Sequence, residues 1–230
     1  NERFGDAAAG RLATLLTEPP FSEAFVGVDG SATGFSLADP DRLLGSLMGV
    51  AIGEAAGEPV EGRSSEWIER RCGVISSYLN NQPSAGSDTA LALLTLDAVL
   101  IDPSNHPQAL AQLITQAAIV SRGQTLDYTR DRLRAGVAWW SAAPPDSAGT
   151  AGPARCGTIG LLFAGKPERA AYEAAISCSV THSHPAALAA AAAVAAAVST
   201  AAAGTPLDAK WMQAAADVAD LITTDRRVSG

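Results

Sequence analysis

The sequence predicts an all-α globule, and three observations carry that prediction. Alanine is abundant while aromatic residues make up only 5% of the 230 residues, a composition suited to helices that approach closely. Apolar residues recur at helical spacing in segment after segment, most of them opening on a capping residue or a proline. No run alternates apolar and polar residues as a half-buried strand would, and neither a GxGxxG fingerprint nor a phosphate loop occurs.

The chain is read as an N-terminal extension over residues 1–38 and one helical domain over 39–230. A helix is expected over 6–17, followed by an irregular connection, "EPPFSEAFVGVDGSATGFS". The next helix has a strong start: Asp39 can cap free amides, Pro40 fits the first helical position, and Leu43, Leu44, Leu47, Val50 and Ala51 follow at helical spacing. Gly57 and Pro59 end it. Further helices are predicted over 86–101, 107–123, 127–140, 157–164, 167–178, 185–203 and 206–224. The stretches "LNNQPSAG" and "SAAPPDSAGTAGPAR" and the His-Pro turn read as loops that open onto helix starts, where unpaired amides converge.

The segment 185–203 would run roughly 28 Å as a helix, long enough to span a bilayer. Yet its only large aliphatics are Leu188, Val194 and Val198, and it has no interfacial aromatic anchors. It is therefore expected to be the buried central helix, with no membrane as partner.

Hydrophobic residues at 47% and charged residues at 17% exclude a disordered chain. A formal charge of −8 would repel a phosphate backbone, so nucleic acid is not an expected partner. Cys72, Cys156 and Cys178 are odd in number and lack metal-ligand spacing, which reads as buried thiols. No targeting segment opens the sequence, and a cytoplasmic location is the expectation.

Three segments could carry chemistry. In "GVAIGEAAGEPVEG", Glu54, Glu58 and Glu61 crowd a helix C-terminus, where the dipole disfavours carboxylates; they form either a solvated rim or a site in which one acts as general base. In "SAGSDTALALLTLDAVL", Ser87, Asp88 and Thr89 stand at a helix start, as caps of its amides or as oxygen ligands of a hard cation. In "SVTHSHPAAL", His182 and His184 precede the alanine helix, as capping or core histidines or as ligand contacts. Trp139 and Trp140 are core, or else contacts of a dimerising domain, and a homo-oligomer is left open.

Taken in order, "DRLLGSLMGVAIGEAAGEPVEG", "GSDTALALL", "GTAGPARCGTIGLLFAG" and "SVTHSHPAALAAAAAV" resemble the ADP-ribosylglycohydrolase family. The resemblance implies an all-α globule with a central cleft, two Mg²⁺ ions, and a hydrolase acting on the bond between ADP-ribose C1″ and a protein side chain or other acceptor. ADP-ribose or an ADP-ribosylated protein is then the expected partner. It also implies roles for single residues. Glu61 matches the glutamate after Pro-Val, and with Glu54 is a candidate for assisting water attack. Asp88 and Thr89 match metal-binding positions, Ser87 is a candidate ligand contact, and His182 matches the histidine that contacts ADP-ribose. Gly149 and Gly152 fall in the loop expected to face the pyrophosphate. The departures are specific: Gly86 and Ser87 stand where the family has Thr and Asp, Glu54 replaces an Asp, and no Asp-x-Asp-Thr segment follows Gly204. The domain is accordingly expected to be incomplete at its C-terminus. The alternative is a catalytically degenerate member that binds a nucleotide or a protein.

Overall fold

The structure is a computed structural model, and it describes residues 35–119, 123–206 and 216–217. The helix expected over 6–17 lies outside the described residues, as does that over 206–224 apart from 206, which is not helical, and 216–217, which are. Among the described residues the chain forms nine α-helices and one short 3-10 helix, with no strand beyond an isolated bridge. The helices are α1 (Pro40–Gly57), α2 (Ser65–Cys72), α3 (Ser87–Ile101), α4 (His106–Gln116) and α5 (Gln124–Arg134), then α6 (Trp139–Ala142), α7 (Ala151–Leu162), α8 (Pro167–Ser179) and α9 (Pro185–Ala202). The 3-10 turn, Glu58–Val60, prolongs α1.

The alanine-rich helix α9 is the centre. Pro185 occupies its first turn, and His184 Nδ1 accepts the Ala186 amide at 3.1 Å. It packs chiefly on α7 and α8, burying Ala187, Leu188, Ala191 and Ala195. Small residues make the approach possible. At Gly160 of α7 there is no room for a side chain, because a Cβ would collide with the Ala195 carbonyl and lie 2.8 Å from the Ser199 nitrogen. The helix is long and apolar enough to cross a membrane, but here it forms part of the protein core.

Two apolar clusters continue outward. One joins Cys156, Ile159, Leu162 and Leu188 with Val99 of α3. The other joins Leu91, Leu110, Ile114, Leu126 and Val180. Trp139 is buried in this second cluster and meets Trp140 edge to face at 5.4 Å, so both tryptophans pack inward. Buried Glu173 of α8 is paired with Arg169 and, at 2.8 Å, with His106 Nε2 at the start of α4. Residues ahead of α1 are already engaged: Ser36 and Ala38 donate to the Leu162 and Leu161 carbonyls, and Phe35 stacks on Phe163.

Several expectations need correction. Helix α7 begins at Ala151, six residues ahead of the predicted 157, because Pro153 sits in the first turn, where its missing N–H has no intrahelical partner to lose. Helix α5 stops at Arg134 and Gly136 adopts φ 83°, which separates it from α6. Helix α4 ends at Gln116. Helix α2 was not predicted: it is only eight residues long and its apolar residues, Trp67, Ile68 and Cys72, are half-buried, so its Ser64 cap and Gly73 stop are its clearest signals. Of the cysteines, Cys156 and Cys178 are buried, whereas Cys72 is half-buried at the end of α2.

Candidate functional site

Five segments distant in sequence meet around one cavity of about 570 Å³, the start of α5 among them with Gly123, Thr125 and Leu126. The end of α1 and the turn after it bring Glu54, Glu58 and Glu61. The start of α3 brings Ser87 and Asp88. The loop into α7 brings Gly149, Thr150 and Ala151, with Arg155 one turn further on. The turn between α8 and α9 brings Thr181 and His182.

The first two segments are joined through Glu54. Its carboxylate accepts the Gly86, Asp88 and Thr89 amides at 2.8–2.9 Å and the Thr89 hydroxyl at 2.6 Å. Two free amides of α3 and that of its N-cap residue, Gly86, are thus met from another helix, and the reading of Ser87 and Asp88 as caps is corrected: α3 begins at Ser87, so both lie inside its first turn. Gly86 permits the contact, since a Cβ there would lie 2.8 Å from Glu54 Oε1. Burial alone would raise the Glu54 pKa, but the Thr89 hydroxyl and the three amides hold it below its ordinary value.

Asp88 is in the opposite condition. It is half-buried, and burial first, then the charges of Glu54 and Glu61, push its carboxyl above the usual range. That two carboxylates act on Asp88 places Glu61 on the same side of the cavity as Asp88. One end is therefore acidic.

The other end is built by Arg155, Thr181 and His182. Arg155 is fully buried, and among the described residues no carboxylate pairs with it. Its fork instead donates to the Ser177 carbonyl at 2.7 Å and to the hydroxyls of Ser177, Thr181 and Thr95 at 2.9, 3.0 and 3.2 Å. His182 is 2% exposed, and burial, reinforced by the Arg155 charge, lowers its pKa to about 4. The ring is neutral at pH 7.

Gly149 and Gly152 both adjoin that ring. A Cβ on Gly149 would stand 3.3 Å from His182 Nε2, and one on Gly152 would stand 2.8 Å from Nδ1 and 2.6 Å from Cys178 Sγ. Gly149 lines the cavity; Gly152 lies behind the imidazole, inside the first turn of α7. His184 points elsewhere, to the amides of α9. Sequence reasoning missed Arg155, whose signal was a lone arginine in the apolar run "GPARCGTIGLL".

The donor set decides whether Mg²⁺ fits. Asp88 is the carboxylate at the start of α3, Glu54 is occupied by α3 amides, and the Thr89 hydroxyl donates to Glu54. Among the described residues no group of three or more His, Cys, Asp or Glu side chains could hold a metal ion. These residues do not fit a two-metal centre, which needs several carboxylates to offset Mg²⁺ dehydration.

An all-α body with helix starts and loops gathered around one hollow defines a helical protein with a central cleft. The family model described as ADP-ribosylglycohydrolase matches residues 36–229, and the chain belongs to that family. A protein of Archaeoglobus fulgidus, described only as an uncharacterized protein, is 30% identical over 159 residues, covering 64% of this chain and 52% of the relative. The chain thus spans about half the length of that relative.

Proposed function

We propose that the protein hydrolyses the glycosidic bond between ADP-ribose C1″ and a protein side chain or related acceptor. The observation that carries this reading is the convergence of Glu61, Asp88, Gly149 and His182 on one cavity, in a member of the ADP-ribosylglycohydrolase family. Its volume of about 570 Å³ falls within the roughly 300–1,000 Å³ range of ligand pockets.

The division of labour follows from the residues. Glu61 takes the proton from the attacking water, since it stands at the acidic end and, unlike Glu54, is not the cap of α3. Glu54 is a positioning residue that fixes the start of α3 and with it Asp88. Ser87 and Asp88 face the ribose. The loop at Gly149, with His182 behind it, receives the phosphates, where the positive end of α7 and the Arg155 charge favour an anion. Release of ADP-ribose from ADP-ribosylated arginine, measured on the full chain with and without Mg²⁺, tests the reading; no release under either condition removes the enzyme.

The donor set favours a second reading, in which the cavity binds ADP-ribose without turning over its conjugates. Calorimetric titration separates the two. Binding of ADP-ribose that Mg²⁺ does not change, with no release from the conjugate, supports the binding module; no binding removes both.

A further inference from the structure

We propose that Arg155 and Thr181 are positioning residues that fix His182 in the tautomer protonated on Nε2, so that the cavity wall presents a hydrogen-bond donor and never a base. The inference rests on the cavity reading only for the purpose of that donor; the tautomer follows from bonds within the protein.

The proton count runs through Thr181. Its Oγ1 accepts from Arg155 Nη2 at 3.0 Å and lies 2.9 Å from His182 Nδ1. The hydroxyl has one proton to give. The alternative acceptor, the Cys178 carbonyl, is 3.4 Å away and already accepts the Thr181 and His182 amides at 3.1 and 2.9 Å. The proton therefore goes to Nδ1, which must be unprotonated to accept it. A neutral ring then carries its own proton on Nε2.

Arg155 takes one lone pair of the Thr181 oxygen and cannot accept its proton, which leaves His182 Nδ1 at 2.9 Å and the Cys178 carbonyl at 3.4 Å as the acceptors, and the shorter contact is to Nδ1. The guanidinium is itself locked by Ser177 and Thr95, on two different helices. Gly152 completes the seat: a side chain there would intrude on the Nδ1 edge and on Cys178.

What results is a buried Nε2–H that has no partner within the described protein, beside Gly149 on the cavity wall. An unmet buried donor is costly in the empty protein and rewarding to a ligand that supplies an acceptor. A phosphate or ribose oxygen meets that need, whereas a ligand N–H does not. The same tautomer bars His182 from accepting the water proton, which leaves that work to the carboxylates across the cavity.

The test is long-range ¹H–¹⁵N correlation spectroscopy on the full chain labelled with ¹⁵N-histidine at pH 7, with His182 assigned by comparison with His182→Asn. The expected wild-type spectrum shows Nδ1 unprotonated and Nε2 protonated. Thr181→Val is expected to leave a mixture of tautomers, Thr181→Ser to restore the single one, and Arg155→Lys, which loses the fork, to give an intermediate result. A wild-type ring protonated on Nδ1 overturns the proposal whether or not any variant folds, and so does an unchanged tautomer in folded Thr181→Val. Titration with ADP-ribose reads the purpose separately: Thr181→Val should weaken binding by about threefold to tenfold, the range of one neutral hydrogen bond. If the wild type shows the expected tautomer but does not bind ADP-ribose, the ligand reading fails and the positioning inference stands.

Discussion

Glu54 and Thr89, 35 positions apart in the chain, meet in a 2.6 Å hydrogen bond from the Thr89 hydroxyl to Glu54 Oε2, and this contact ties the end of α1 to the start of α3. The same carboxylate takes the amides of Asp88 and Thr89 in α3 and of Gly86 just ahead of it. Helix α3 thus begins where α1 ends, and Asp88 is held at the cavity by a residue that is not its neighbour in sequence.

Glu54→Gln is expected to destabilise the fold by about 1–2 kcal/mol, the range of a lost helix cap, because the amide NH₂ faces donors that need acceptors. The pH dependence has a definite sign. The folded-state pKa lies below the ordinary 4.5, so the Glu54 contribution is complete above that value and is lost as pH falls through the folded pKa. Urea denaturation of both proteins between pH 7 and pH 3 should show the difference between them shrinking on the acid side. Equal stability at pH 7 would refute the cap.

Two glycines of α7 give opposite predictions. Gly160→Ala should cost about 3 kcal/mol or more, since its methyl meets α9 backbone at Ala195 and Ser199, which cannot rotate away. Gly157→Ala should be neutral or stabilising by up to about 1 kcal/mol. There a Cβ lies at ordinary contact distance, 3.5 and 3.7 Å from Val194 and Val198, and alanine favours the helix. Thermal unfolding of the two variants checks the pair.

That pair also shows what the sequence could reveal. That 185–202 packs one face into the core was legible because an alanine-rich helix has few other uses, though its other side, with Val194, is exposed; α1 was legible because Asp39 and Pro40 announce it. The family and the segments that form the cavity were legible from four motifs in order. What was hidden depends on contacts between segments. The Glu54 cap could not be read because a local cap at Ser87 or Asp88 explains the same residues. The seat of Gly152 against His182 was hidden because a loop glycine in "GTAGPAR" reads as freedom rather than as close packing. Helix α2 spans eight residues, too few for its half-buried apolar side to repeat.

His182 predicts an acid-sensitive stability. Its folded pKa of about 4 lies below the ordinary 6.5, so the folded state binds fewer protons and loses stability as pH falls from 6.5 toward 4. Between pH 7 and pH 5 this amounts to about 2 kcal/mol. Arg155 faces the ring from α7 and Cys178 from α8, while Glu54, Glu58, Glu61 and Asp88 line the rest of the cavity. Glu54 loses stability only below 4.5, and raised Asp88 acts in the opposite sense. The difference between wild type and His182→Gln at the two pH values therefore isolates the histidine. A difference that does not change with pH would contradict a buried neutral ring.

Asp88→Asn should separate stability from function. Burial and the charges of Glu54 and Glu61 raise the Asp88 pKa, so the ionised group is a burden on the folded state at pH 7. Its place in the first turn of α3 offsets part of that burden, because the helix dipole favours a negative charge there by about 0.3–1 kcal/mol. The net effect of the substitution on stability at pH 7 is expected to be a small gain, read as a slight rise in Tm. The same variant should lose release of ADP-ribose from ADP-ribosylated arginine by about 10-fold or more, the range of one hydrogen bond to a charged group that faces the ribose. A variant that is both less stable and as active as wild type would show that Asp88 serves α3 rather than the ligand.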